Sequence, residues 1–332
     1  MNNGLRHKAE KLISEYKMIE SADKVLVAFS GGGDSSALLF FLLEYLNKDN
    51  IFAAHLNHMI RGAEAERDEK FAVDTCEKYN IKIFTERRDI PKIAENSKKS
   101  IEEAARDERY SFLRETANSM GKNVKIATAH TASDNAETVI FNLARGCGLT
   151  GLAGIAPVRD NIIRPFLSCA KEDILEYCEK NNIAYIEDST NADENYTRNF
   201  IRCNISSKLK EKFGRLDENI FKTSEILRRS ADFIDQVADS RINDSEGICV
   251  GDLLTMHRAL QQVVIERLYE NAVLPDNRKL EYKHVEYVSE LLTKHSKAEK
   301  SVDLPGLVSA RVSKNKLTME KISEKKTSRN RK

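Results

Sequence analysis

The chain has 332 residues, 41% of them hydrophobic, which is enough for a packed core and points to two domains rather than one. Its 53 Lys and Arg against 52 Asp and Glu leave a formal net charge of +1, so any nucleic-acid surface must be local rather than global. No run of 18 apolar residues exists to cross a membrane as a helix, and the polar segment Met1–Glu20 has no apolar signal core; both predict a cytoplasmic protein.

In chain order, Leu5, Ala9, Leu12, Ile13 and Tyr16 fall at helical spacing and predict a helix over 5–20. An apolar strand, Val25–Phe29, follows. It runs into the turn Ser30-Gly31-Gly32-Gly33-Asp34-Ser35 and then a helix over Ser36–Leu46. Strands are expected at Ile51–Leu56, Ile81–Thr85, Val124–Ala129 and Ile162–Ile163, the last stopped by Pro165. Helices are expected at Ala65–Tyr79, at Ser100–Met120 behind the capping pair Ser100 and Glu103, and at Ala132–Arg145, ending at Gly146. Strand and helix alternate, which implies an α/β domain with a parallel sheet covered on both faces. From about residue 216 the texture changes. Helices are expected at 216–240, 252–272 and 283–295, then a hairpin of Val302–Leu304 and Leu307–Leu317 turned at Pro305-Gly306. The expected division is 1–215, 216–320 and a basic tail, 321–332, either solvated or in contact with RNA phosphate.

The turn Ser30–Ser35 carries the strongest chemical signal. Glycines let backbone N–H groups approach a phosphate, and the helix behind them adds unpaired donors and a partial positive charge. No Gly-Lys-Ser/Thr follows, and Ser36 stands where a dinucleotide fingerprint needs its third glycine. Asp34 beside a phosphate cradle makes sense if Mg²⁺ lies between them. The plainer reading is a structural turn. Farther along, Asp134 and Glu137 share a helix face after His130, either as dipole complement or as ligands of a metal or amine. Arg145 precedes a glycine-rich loop, and Arg106, Arg109 and Tyr110 cluster on the long helix. Arg198 and Arg202 are a helical turn apart, spaced either to grip successive phosphates or to salt-bridge nearby acids. The six cysteines contain no Cys-x-x-Cys pair and are read as buried small hydrophobes.

Taken in order, the turn Ser30–Ser35, His130–Thr138, Arg145-Gly146 with Gly151-Leu152, Arg164-Pro165-Phe166 and Asp188–Arg202 resemble the tRNA(Ile)-lysidine synthetases, members of the PP-loop ATP pyrophosphatase group. The likeness covers roughly residues 20–210 and includes His55-Leu-Asn-His58. Two departures stand out. Ser133 and Asn135 replace an acid and a Gln of the family pattern, and the sequence is expected to resemble a shorter form than the many members that carry a further C-terminal domain.

The resemblance implies a PP-loop, Rossmann-like catalytic domain followed by a helical, tRNA-contacting domain. It implies a reaction in which ATP, free L-lysine and the wobble cytidine of the tRNA(Ile) anticodon loop give lysidine, AMP and pyrophosphate. Ser30, Gly31, Gly32, Gly33, Asp34 and Ser35 would hold pyrophosphate, with Asp34 on Mg²⁺ and His55 beside adenine. Asp134 and Glu137 would hold the lysine ammonium. Arg109 and Arg145 would meet phosphate or the activated base, and Arg198 and Arg202 the tRNA. Oligomeric state is open, a homodimer included. A tRNA-thiolating PP-loop enzyme, a small-molecule amide ligase and a non-catalytic nucleotide-binding module are the rival readings.

Overall fold

The computed structural model describes residues 4–187, 197–242, 247–273, 280–293 and 300–322, the side chains of Thr197 and Arg198 excepted. Most of the segment Asp188–Arg202, Arg198's side chain and nearly all of the basic tail therefore lie outside the described residues. The chain divides into two compact units, Met1–Leu227 and Arg228–Lys332.

The first unit runs α1 (Gly4–Glu15), β1 (Lys24–Ala28), α2 (Gly33–Tyr45), β2 (Ile51–Asn57), α3 (Ala63–Lys78), β3 (Lys82–Arg87), α4 (Ile90–Ser97) and α5 (Ile101–Ser119). It continues with β4 (Val124–Ala127), α6 (Ala132–Arg145), α7 (Leu149–Leu152), β5 (Val158–Arg159), β6 (Ile162–Ile163) and α8 (Lys171–Lys180). Then come α9 (Thr197–Phe200), a π-helical turn over Ile201–Ser206, α10 (Ser207–Phe213) and the start of α11 (Leu216–Arg241).

The sheet order is β3-β2-β1-β4-β6-β5, parallel except for the edge strand β5. Both faces are covered, as apolar parallel strands require. One face packs Val25, Val27 and Ala53 against Leu12, Leu38, Leu42, Ala72 and Ile174. The other packs Leu26, Ala54 and Ile126 against Phe112, Leu113 and Ala117 of α5. After β1 the chain steps outward through β2 and β3 and returns to β4 on β1's other side. This reversal opens a crevice at the carboxyl ends of β1 and β4, where open α/β sheets bind ligands.

Helix α6 has the bounds its apolar pattern predicts, and Ser100 caps α5 by accepting from the Glu103 N–H at 3.2 Å. Helices α4 and α8 are additions. Each is short and largely polar, and stands on caps: Asp89 accepts from Lys92 N, and Asp173 accepts from Ala170 N.

The second unit packs α13 (Arg258–Val273) and α14 (Tyr282–Thr293) on an antiparallel sheet, with β7 (Ile248–Cys249) and α12 (Val250–Thr255) leading in. Sheet order is β7-β10-β9-β8, with β8 Lys300–Leu304, β9 Val308–Ser313 and β10 Lys316–Lys321. Two expectations are corrected here. The helix expected over 252–272 breaks at Met256-His257, where Met256 is extended and the His257 ring accepts from the Ala259 N–H. The strand expected over Leu307–Leu317 is two strands. Lys314 and Asn315 both adopt positive φ and turn the chain so that Ser313 pairs with Lys316. That is the twist a two-residue hairpin favours, formed here without glycine. Gly306, at φ 73°, does turn β8 into β9.

Candidate active site

The glycine turn leaves β1 at Ala28 and enters α2 at Gly33. Gly31 sits at φ 87°, and a Cβ there would lie 3.1 Å from the Phe71 ring. The Ser35 and Ser36 hydroxyls donate back to the carbonyls of Gly32 and Gly31, and Ile186 N–H donates to Gly31 O at 2.9 Å. Gly32 caps α2 with no side chain, so no side-chain cap competes for the donors of the first helical turn. This 13-residue helix presents them to the crevice as an anion site.

Asp34, in that first turn, is paired with Lys171 at the start of α8, Nζ to Oδ1 being 2.5 Å. Burial pushes the Asp34 carboxyl above its ordinary range; Lys171 opposes this and Asp134 adds to it. The hard-oxygen chemistry of Asp34 suits Mg²⁺. Among the described residues no group of three or more His, Cys, Asp or Glu could hold a metal. A Mg²⁺ ion here would therefore depend on phosphate oxygens and water besides Asp34, which is how this ion usually binds nucleotides.

Asp134 and Glu137 lie on the first turns of α6. Thr131 and Asp134 form a reciprocal cap: Thr131 N–H and Oγ1–H both donate to Asp134 Oδ2 at 2.8 Å. That leaves Oδ1 facing Arg202 Nη2 at 3.7 Å. Glu137 is buried and grips Arg202 through Nε to Oε1 at 2.6 Å and Nη2 to Oε2 at 3.3 Å. Burial raises the Glu137 carboxyl and Arg202 counters it. The capping reading of this pair is met by Asp134 Oδ2, and the remaining carboxylate oxygens face Arg202. Arg202 is turned inward onto the acids, in the π-helical turn, a distortion frequent at functional sites.

Three groups were not singled out in the sequence. Lys171 is one. Asp217 of α11 is another: buried, it accepts a short hydrogen bond from Ser133 and pairs with the third, Lys210, at 2.6 Å. A buried carboxylate thus stands beside Ser133 from 84 residues away, a contact that spacing cannot reveal. Asn135 is fully buried; it accepts from Ile155 N–H at 2.8 Å and donates to Ser224 Oγ at 3.1 Å.

Across the crevice the groups are cationic or neutral. Arg109 Nη2 lies 3.4 Å from His58 Nε2, and the Arg106 guanidinium covers the Tyr110 ring. Burial, helped by Arg109, pushes His58 down to about 3. Burial outweighs Asp134 and takes His130 to about 4, with Arg164, Arg106 and Arg109 adding to the fall. Both imidazoles are neutral at pH 7. His55 is buried, and its Nδ1–H donates to Phe29 O at 2.9 Å; its ring ties β2 to the exit of β1, and only its backbone is left to flank a base. Arg145 is exposed at the end of α6 with its guanidinium over Phe141, and among the described residues no ion pair joins it to the acids of α6.

A glycine turn on a parallel sheet, an acid in the first helical turn and facing acids on the next crevice helix define a nucleotide-binding PP-loop domain, and the PP-loop domain family model matches residues 1–209. The family uses ATP. More narrowly, the chain is 35% identical over 328 residues to a tRNA(Ile)-lysidine synthase of Caldanaerobacter subterraneus subsp. tengcongensis, covering 96% of this chain and 69% of the relative. It is 36% identical over 306 residues to that of Clostridioides difficile, covering 88% and 65%. It belongs to the tRNA(Ile)-lysidine synthase family, and spans about two thirds of the length of these relatives. A solved U34-tRNA thiolase from Methanococcus maripaludis has a TM-score of 0.56 at 19% identity, over 68% of this chain and 78% of its own; it shares the fold.

Proposed function

We propose that the chain joins free L-lysine to C2 of the wobble cytidine in tRNA(Ile) bearing the CAU anticodon. The cytidine O2 attacks the α-phosphorus of ATP and pyrophosphate leaves. The lysine ε-amine then attacks C2, the C2–O bond breaks and AMP departs with that oxygen, while the amine gives up a proton to solvent.

The observation that carries this reading is the acid pair with a cation already on it. Asp134 and buried Glu137 face a single guanidinium, Arg202, which Glu137 grips closely while Asp134 Oδ1 stands 3.7 Å from it, so two carboxylates against one cation leave Asp134 free to take a second cation beside Arg202. Lysine presents the same kind of group. Backbone donors at the start of α2 would receive the pyrophosphate, with Asp34 holding Mg²⁺ against it. Mg²⁺ supplies charge neutralisation on the phosphate oxygens. Arg109, beside His58, and Arg145, exposed at the end of α6, would meet the α-phosphate or the activated base. Neutral His58 and His130 would line a base without competing for phosphate as cations.

An anticodon-loop base is already single-stranded, so drawing it into the crevice costs less than flipping a paired one. The second unit is the proposed further tRNA surface, a cytoplasmic location is proposed with the tRNA substrate, and a homodimer is one assembly to test. Thiolation is the second reading, but the curated relatives are lysidine synthases and the thiolase shares only the fold.

The test is incubation with ATP, Mg²⁺, labelled lysine and tRNA. Label in tRNA with AMP release, lost in Asp34→Ala and Glu137→Ala, is the expected result. AMP release without lysine transfer would falsify the lysidine reading.

A further inference from the structure

We propose that Lys171 is a pyrophosphate ligand of this site, parked on Asp34 until nucleotide enters; the inference rests on the PP-loop reading above and adds a residue to it. Its place is fixed relative to the glycine turn. Lys171 opens α8, and the segment that follows is stitched to the turn: Cys178 Sγ–H points to Gly33 O at 3.7 Å, Ile186 N–H donates to Gly31 O at 2.9 Å, and the Tyr185 ring lies against Gly33.

Three cations of the crevice are held by carboxylates, and their partners differ. Arg202 sits on Glu137, whose side chain is 8% exposed, and Lys210 on Asp217, 5% exposed. Lys171 sits on Asp34, 33% exposed, and is itself 42% exposed. Leaving a sealed carboxylate strands a buried charge, whereas the partly buried Asp34 keeps a third of its side chain open to water and is stranded less. So Lys171 is the cation that moves most cheaply. An ion pair this open also stabilises the fold little, which leaves its position beside the phosphate cradle unexplained by stability alone.

Its absence of a fixed geometry suits the task. A lysine is a compact charge on a flexible stem and binds phosphate as a point charge. Once the charge of Asp34 is taken up by a phosphate-bound divalent cation, the ammonium is released within reach of the same phosphates. When the bond from the α-phosphorus to the bridging oxygen breaks, negative charge gathers on the leaving pyrophosphate, and Lys171 offsets it with no proton transferred.

The experiment titrates inorganic pyrophosphate, and separately AMP, in MgCl₂ into the full chain by calorimetry. Wild type, Lys171→Met and Lys171→Arg are compared. Lys171→Met is expected to lose roughly tenfold or more in pyrophosphate affinity, about 1.4 kcal/mol, with AMP affinity within about twofold; Lys171→Arg is expected to recover most of the loss. Unchanged pyrophosphate binding in Lys171→Met overturns the assignment. So does a parallel loss of AMP, or an Arg variant no better than Met, since either marks a structural ion pair. Wild type that binds pyrophosphate but transfers no lysine to tRNA would sink the proposed function and leave Lys171 where it is placed here.

Discussion

The two units handle polar groups in opposite ways. Of the buried polar and charged side chains among the described residues, only Ser309 lies in the second unit; His55, Asn135, Glu137, Arg164 and Asp217 all lie in the first. The second unit closes a plain apolar core around Leu253, Val264, Tyr269, Val288 and Leu317, and its ion pairs, such as Arg258 with Glu286, stand outside it. Buried charge costs desolvation that pairing at best recovers. Its concentration in the first unit therefore marks where structure serves chemistry rather than stability.

The comparison breaks first at its cores. Leu253→Ala removes a fully buried side chain and is expected to cost the second unit about 2–5 kcal/mol, read as a fall in the denaturant midpoint, with ATP binding to the first unit unchanged. A matching fall in ATP affinity would mean that the two units do not separate function from stability in this way. Asp34→Asn should do the reverse. Its carboxyl is raised by burial, so the folded state holds its proton to a higher pH than the unfolded chain does, and stability is lost as pH rises through that raised value. Above it, removing the charge is expected to keep or raise the melting temperature, because half-exposed Lys171 can return to water. Lysine transfer should still fall about 10²–10³-fold. An Asp34→Asn protein that melts earlier at pH 7 would show the ion pair to be structural after all.

How much of this was legible in the sequence follows the same line. Alternating apolar runs gave the parallel sheet, and Ser30–Ser35, Asp134 and Glu137 announced the crevice because each lies in a local motif at a strand end. Contacts between distant segments were invisible. Nothing near Lys171 points to Asp34, and nothing near Asp217 points to Ser133, since those meetings are made by packing α8 and α11 against the sheet. Arg202 was read with Arg198, a helical turn apart, either as a phosphate contact or as a salt bridge to acids nearby in sequence, whereas its acids come from α6. The π-helical turn changes its direction, and no residue type there predicts one. In the second unit, Lys314-Asn315 formed a hairpin turn without the glycine by which such turns are usually recognised.

Glu137→Gln sharpens the contrast within the crevice. The amide keeps the shape and loses the charge. A charge-assisted hydrogen bond of about 1.5–3 kcal/mol corresponds to roughly a 10- to 100-fold rise in KM for lysine, with KM for ATP little changed. An equal rise in both would move the acid pair from amine recognition to general support of the crevice.

The smallest effect concerns the neutral side. His58 is held down to about 3 and His130 to about 4, both mainly by burial, against an ordinary value of 6.5. In the unfolded chain these imidazoles take up protons that the folded unit refuses, so the unfolded state binds more protons between those limits. Stability is therefore full above about pH 6.5 and is lost as pH falls toward 4. The urea midpoint should drop across that window, and His58→Gln should flatten the drop without shifting the midpoint at pH 8. The histidines described in the second unit, exposed His257 and half-buried His284, are hydrogen-bonding caps at helix starts. A drop that His58→Gln leaves untouched would take the acid sensitivity away from the crevice and remove the electrostatic half of the distinction between the two units.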